Sequence, residues 1–150
     1  ERKLRPGTLN VPAIVGFGKA CEICHQEMRG EANRLGQLIE TIEDELLDIE
    51  GVSINADQSI RLPHMTSVSI DGIDGSRLIR VMKNLAISQG SACSSNTIKP
   101  SHVLKALGHS DEKALASMRI ALGRMTTRMD VIEAIKNIKR GISQLKASSL

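Results

Sequence analysis

Tryptophan and tyrosine are absent from this 150-residue sequence, and Phe17 is the one phenylalanine. Leu, Ile, Val, Met and Ala must therefore fill the core. Recognition of single-stranded nucleic acid is disfavoured, because it stacks bases on aromatic platforms. Long apolar runs are missing too. None approaches the roughly 18 residues of a membrane span, and no secretory leader opens the chain. A strong excess of one charge is also lacking, since 20 basic and 17 acidic residues leave a net charge of +3. The densest basic stretch, Lys136 to Arg140, is interrupted by Asn137 and Ile138 and reads as the solvated face of a helix. Neither DNA nor a membrane is an expected partner. Cysteine is scarce and odd in number, at three, which suits a reducing compartment and an expected cytoplasmic location. The chain opens at Glu1 rather than Met, which points to processing or a longer parent.

What is present is ordinary for a globular domain: 41% hydrophobic and 25% charged residues. Residues 1–12 read as irregular, with a turn at Pro6-Gly7 and Pro12 suited to the first position of a helix. Ile14, Phe17, Cys21, Cys24 and Met28 then recur at three- and four-residue steps, as one helical face does. The pattern continues through Leu35, Leu38, Ile39, Ile42, Leu46 and Ile49. Gly30 and Gly36 favour a break, so two helices are expected, the second stopped by Gly51.

Beyond Gly51 the period changes to two. Val52 with Ile54, and Val68 with Ile70, read as half-buried strands. Turns at Asp71-Gly72 and Asp74-Gly75 precede a helix with Leu78, Ile79, Met82 and Leu85 inward, then a short strand at Leu85–Ser88. The run Gln89 to Thr97 consists of small polar residues without periodicity and reads as a mobile loop. Pro100 opens a short helix closed by Gly108. Met118, Ile120 and Leu122 alternate with Arg119 and Ala121 as a strand. Thr127 and Asp130 resemble a capping box for a last helix burying Val131, Ile135, Ile138, Ile142 and Leu145. The expected fold class is α/β, a two-layer α+β sandwich with helices on one side of a small sheet.

Three constellations invite chemistry. Cys21-Glu22-Ile23-Cys24-His25 has the spacing of covalent haem attachment, but both thiols fall on the stripe of Phe17 and Met28. Burial in the core is the better reading. Gly16-Phe17-Gly18 is half of a dinucleotide fingerprint, with no strand before it. His64, His102 and His109 are scattered, and a Cys93–His102 hydrolytic pair has no group to orient it. Cys93 differs, since its neighbours are small and polar and give it nothing to pack against. An exposed thiol is already nucleophilic through its thiolate fraction.

Three stretches carry a resemblance. Arg5-Pro6-Gly7-Thr8-Leu9-Asn10-Val11-Pro12 followed by Ile14-Val15-Gly16-Phe17-Gly18, Gly90-Ser91-Ala92-Cys93-Ser94-Ser95 with Pro100 to Gly108, and Met118 to Arg124 with Thr126-Thr127 resemble, in order, three motifs of the cysteine desulfurases. These are fold-type I pyridoxal-phosphate enzymes among the class-V aminotransferases. The Ser-rich cysteine loop is similar to that of the iron–sulfur-assembly and nitrogen-fixation branch. The resemblance implies that residues 1–28 end a large cofactor-binding domain. Residues 29–150 would form the C-terminal small domain, carrying the catalytic-cysteine loop at about 88–100.

It further implies a homodimeric enzyme that removes sulfur from L-cysteine, leaving L-alanine and a persulfide on Cys93. Pyridoxal phosphate would act as electron sink. Arg119 would grip the substrate carboxylate, and Thr8 would hydrogen-bond the cofactor phosphate across the dimer interface. Cys93 would also lend a thiolate to an iron–sulfur cluster shared with a scaffold protein. That scaffold, other sulfur acceptors and tRNA thiolation are the implied destinations of the sulfur. The family's Schiff-base lysine has no matching motif here, so the chain alone is expected to be inactive. The rival reading is a non-enzymatic persulfide-carrier or scaffold-binding module.

Overall fold

The structure, a computed structural model, describes residues 7–56, 61–82, 84–88 and 99–148. Its first element, α1, spans Val11–Leu47. Asn10 caps it by accepting from the Ala13 amide at 3.2 Å, and Pro12 sits in the first turn, where a missing N–H costs nothing. The expected break at Gly30 and Gly36 does not occur. A helical glycine costs about 1 kcal/mol relative to alanine, which weakens a helix without interrupting its hydrogen-bond ladder. Arg34, between the two glycines, also ties the helix to the far end of the chain. It pairs with Glu31 at 3.0 Å and donates to the carbonyls of Thr126 and Arg124 at 2.7 and 3.0 Å.

Three strands follow the two-residue period: β1 at Val52–Ile54, β2 at Met65–Ile70 and β3 at Ser117–Ala121. They form one antiparallel sheet in the order β1-β2-β3. Register pairs Val52 with Ile70 and Ser67 with Arg119. Thr66, Val68 and Ile70 of β2 and Met118 and Ile120 of β3 are buried on one face. Gly51 makes the turn into β1 with φ of +80°, which a side chain would resist.

Between β2 and β3 lie α2 at Gly75–Val81, α3 at His102–Ala106 and α4 at Asp111–Leu115. Asp74, Ser101 and Ser110 cap them in turn. Pro100 therefore precedes the cap of α3 rather than opening the helix, while Gly108 closes it with φ of +86°. The strand expected at Leu85–Ser88 is reduced to a single bridge between Ser88 and Arg119. The last helix, α5, spans Arg128–Ala147 and starts with the expected capping box. Thr127 N–H donates to Asp130 at 2.8 Å, and the Asp130 amide to Thr127 Oγ1 at 3.2 Å.

All five residues expected to line α5 are buried, and they pack with Ile39, Ile42 and Leu46 of α1 and Leu78 of α2 against the apolar sheet face. The opposite face is polar. There Ser69 and Ser117 are also buried, and Ser117 Oγ donates to the Lys113 carbonyl of α4 at 2.6 Å.

The N-terminal half of α1 departs from expectation. Cys21 and Cys24, read as core thiols, are exposed, as is Phe17 at 73%. Burial along this helix begins at Leu35, so the apolar stripe of the first half stays largely exposed. Among the described residues no helix is long and apolar enough to cross a membrane.

Candidate functional site

The polar face of the sheet gathers the described chemistry. Antiparallel register continues past β1, so that Asn55 lies opposite Ser67, its amide donating to the Ser67 carbonyl at 2.9 Å. Ser67 in turn lies opposite Arg119, and Arg119 opposite Ser88. Asn55, Ser67, Arg119 and Ser88 thus form one cross-strand row, with Ser53, Ser69 and Ser117 in the row beside it. Cross-strand partners project to the same face of a sheet.

Hydrogen bonds stitch these rows together. Asn55 Nδ2 donates to Ser67 Oγ at 3.1 Å and to Ser117 Oγ at 2.9 Å, and the hydroxyls of Ser53 and Ser69 meet at 2.9 Å. His109 Nε2 lies 2.9 Å from the Asn55 carbonyl, where only its N–H form makes a bond. Arg119 itself is half-buried, and none of the described residues pairs with its guanidinium. Its backbone is held on both sides, by β2 and by Ser88, whose carbonyl accepts from the Arg119 amide at 2.8 Å.

On the apolar side of β2, Glu43 of α1 and Arg61 form a pair beside Thr66, with Arg61 Nη2 to Glu43 Oε2 at 2.6 Å. Burial pushes the Glu43 carboxyl up. The Arg61 and Thr66 hydrogen bonds and the Arg61 charge outweigh it and hold the carboxyl below its ordinary range. The same bond to Glu43 raises Arg61. This pair fastens the β1–β2 connection to α1. A cavity of about 440 Å³, lined by Cys24, Met28, Leu35, Leu62, His64 and Leu122 among others, opens between α1 and the sheet's end.

Of the site residues expected from sequence, Arg119 lies on the polar row, and Thr8 is exposed two residues before the Asn10 cap. Cys93 and most of its loop lie outside the described residues, as do Arg5 and Pro6 of the first motif. Sequence reasoning missed Asn55, Ser67, Ser117 and His109. The alternation of Ser67 and Ser69 between apolar residues was visible, but it read as a solvent face, whereas Ser69 and Ser117 are buried. Among the described residues no three His, Cys, Asp or Glu side chains converge as metal ligands.

Comparison with known proteins gives this geometry a setting. A probable mitochondrial cysteine desulfurase of Schizosaccharomyces pombe is 41% identical over 149 residues, covering 99% of this chain and 30% of the relative. The cysteine desulfurase IscS of Methylococcus capsulatus is 44% identical over 149 residues, covering 99% of this chain and 37% of the relative. Among solved structures, a NifS-like protein superposes with a TM-score of 0.80 at 31% identity, over 95% of this chain and 36% of the other. A NifS-like protein from Rickettsia africae gives 0.78 at 29% identity, over 93% and 37%. The chain thus spans about a third of the length of the relatives it matches. The small antiparallel sheet with its helices corresponds to part of the fold of those NifS-like proteins. Residues 1–133 match the aminotransferase class-V family, and the chain belongs to it.

Proposed function

We propose that this chain is the C-terminal part of a pyridoxal-phosphate-dependent cysteine desulfurase, in which Cys93 takes sulfur from L-cysteine and passes it on. The observation that carries the reading is the bridge between Ser88 and Arg119. It joins the strand bearing a carboxylate-binding candidate to the start of the segment bearing the nucleophile. Cys93 lies five positions beyond Ser88, a covalent reach of at most about 18 Å. A substrate held through its carboxylate at Arg119 is within range of that thiol.

The residues present suit the roles proposed for them. A planar guanidinium with no described partner donates two parallel hydrogen bonds to a carboxylate. Thr8 lies on the exposed lead-in to α1, and a threonine hydroxyl suits a phosphate oxygen of the cofactor. Pyridoxal phosphate, when bound, supplies an electron sink for the substrate's carbon framework. The Cys93 thiolate attacks the substrate sulfur, which becomes the outer sulfur of a persulfide, and the three-carbon remainder leaves as alanine after gaining a proton. The cofactor-anchoring lysine, for which this chain has no matching motif, belongs in this reading to the rest of the parent.

Residues 1–28 then end the large domain and residues 29–150 make the small one. The exposure of Leu9, Val11, Ile14, Val15, Phe17 and Met28 supports this division, since an apolar face of that extent calls for cover. A homodimer, with Thr8 acting across its interface, and delivery of sulfur to an iron–sulfur scaffold or another acceptor complete the proposal. Cys93 sharing a cluster with that scaffold, and a cytoplasmic location, belong to it as well.

Mass spectrometry tests it. After exposure to an intact desulfurase and L-cysteine, the chain should gain one sulfur at Cys93, and Cys93→Ser should gain none there. Unmodified Cys93 under conditions that load the intact enzyme would sink the reading. With pyridoxal phosphate added, the 150-residue chain alone should release no alanine from cysteine.

A further inference from the structure

One buried unsatisfied acceptor and one cation without a described partner share the polar row. Asn55 is only 4% exposed, yet its Oδ1 has no hydrogen-bond partner. Chemistry fixes which way the amide faces. Ser117 Oγ spends its proton on the Lys113 carbonyl, so toward Asn55 it can only accept, and the amide must turn its NH₂ to the two serines. A buried acceptor left without a donor is costly, and native proteins seldom leave one so. Across the row stands the second group, the Arg119 guanidinium, with five N–H donors and no described partner.

The two residues lie two strands apart, about 10 Å between Cα atoms at ordinary strand spacing. Within the row the small Ser67 side chain is the residue between them. An arginine side chain from one side and an asparagine from the other are together long enough to span that distance. We propose that Asn55 is a positioning residue for Arg119. Its Oδ1 accepts from one edge of the guanidinium and leaves the other edge free for a carboxylate. This rests on the reading of Arg119 as the carboxylate-binding group.

The test begins with the 150-residue chain. The Arg119 Nε–H resonance, assigned by its loss in Arg119→Lys, should exchange with solvent slowly in the unaltered chain. In Asn55→Leu it should exchange quickly. Asn55→Asp keeps an oxygen in place while losing both donors to the serines, and should retain slow exchange. An asparagine that merely clamps the strands predicts the reverse, with Asp no better than Leu. Ser67→Val, which gives up one bond from Asn55 Nδ2 but leaves its Oδ1 in place and blocks the path, should also speed exchange. Unchanged exchange in a folded Asn55→Leu or Ser67→Val chain overturns the proposal.

In the intact desulfurase, Asn55→Leu should raise KM for L-cysteine about tenfold with kcat little changed, and Asn55→Asp should restore it. A fall in kcat at constant KM overturns the proposal. Should the intact protein not turn over cysteine at all, the functional reading fails by that result, and the exchange measurement still decides the pairing.

Discussion

Ser88 and Arg119 hold each other through two backbone hydrogen bonds, Arg119 N–H to the Ser88 carbonyl at 2.8 Å and Ser88 N–H to the Arg119 carbonyl at 3.4 Å. No strand is needed to make this contact, because the bridge stands alone at the edge of β3. Its effect is to fix the backbone of Arg119 from both sides while its side chain stays half-buried and unengaged by described residues. A residue with a rigid backbone and an uncommitted cation is suited to grip a ligand. On the proposed function, Arg119→Ala in the intact protein should therefore lower kcat/KM for L-cysteine roughly tenfold to hundredfold, the worth of a charge-assisted hydrogen bond. Arg119→Lys should recover only part of it, since an ammonium lacks the planar fork. Steady-state kinetics of both variants check this, and full activity in Arg119→Ala would remove the residue from the site.

Glu43 and Arg61 make an ion pair that is largely buried, with side chains 4% and 16% exposed. Glu43→Gln leaves the Arg61 charge without its partner and should cost about 3 kcal/mol at neutral pH. The pH dependence has a definite sign. The folded carboxyl lies below its ordinary value, so its contribution is fully present above the unfolded glutamate range, near pH 4.3, and is lost as pH falls through the folded value. Urea unfolding of the unaltered chain should weaken over that acidic window, whereas Glu43→Gln should lack that component. Parallel pH profiles in the two proteins would refute the assignment.

Much of the fold was legible because it follows periodicity. The stripe of α5, its Thr127–Asp130 capping box and the inward Met118 and Ile120 of β3 were all readable from spacing. The errors share one cause. Periodicity marks which side of an element is apolar, but not what covers it. Cys21 and Cys24 lie on an apolar stripe, yet that stretch stays largely exposed. Ser69 and Ser117 look like solvent-facing residues, yet α4 comes down on their side of the sheet. A five-residue helix such as α4 has too few turns to display a period. Arg119 stood out in the sequence through its motif, while the Asn55–Ser67 row beside it emerges only from the strand register.

The exposed thiols allow a direct test of the proposed domain division. In the 150-residue chain, Cys21 and Cys24 should be alkylated at the rate of a small-molecule thiol, because their stripe is open to solvent. In the intact parent the same stripe should be covered and alkylation slowed. Timed labelling followed by peptide mass spectrometry separates the two states. Equal, fast labelling in the full-length protein would show that residues 1–28 do not pack against a large domain.

Glycines on the two long helices should respond oppositely to the same substitution. A Cβ at Gly30 would meet nothing within 4 Å, so Gly30→Ala gains the helix propensity of alanine, about 1 kcal/mol, without penalty. A Cβ at Gly141 would come within 3.2 Å of Met82 Cγ, 3.3 Å of Val81 Cγ2 and 3.4 Å of Leu78 Cδ1, where α2 packs on α5. Met82 and Leu78 are themselves buried, so neither can swing into solvent. Overpacking of this kind costs about 1–3 kcal/mol, which cancels or exceeds the propensity gain. Gly30→Ala should therefore raise helicity by circular dichroism, and Gly141→Ala should leave the domain's stability to urea unchanged or lower. A clear stabilisation by Gly141→Ala would mean that α2 and α5 approach less closely than these contacts require.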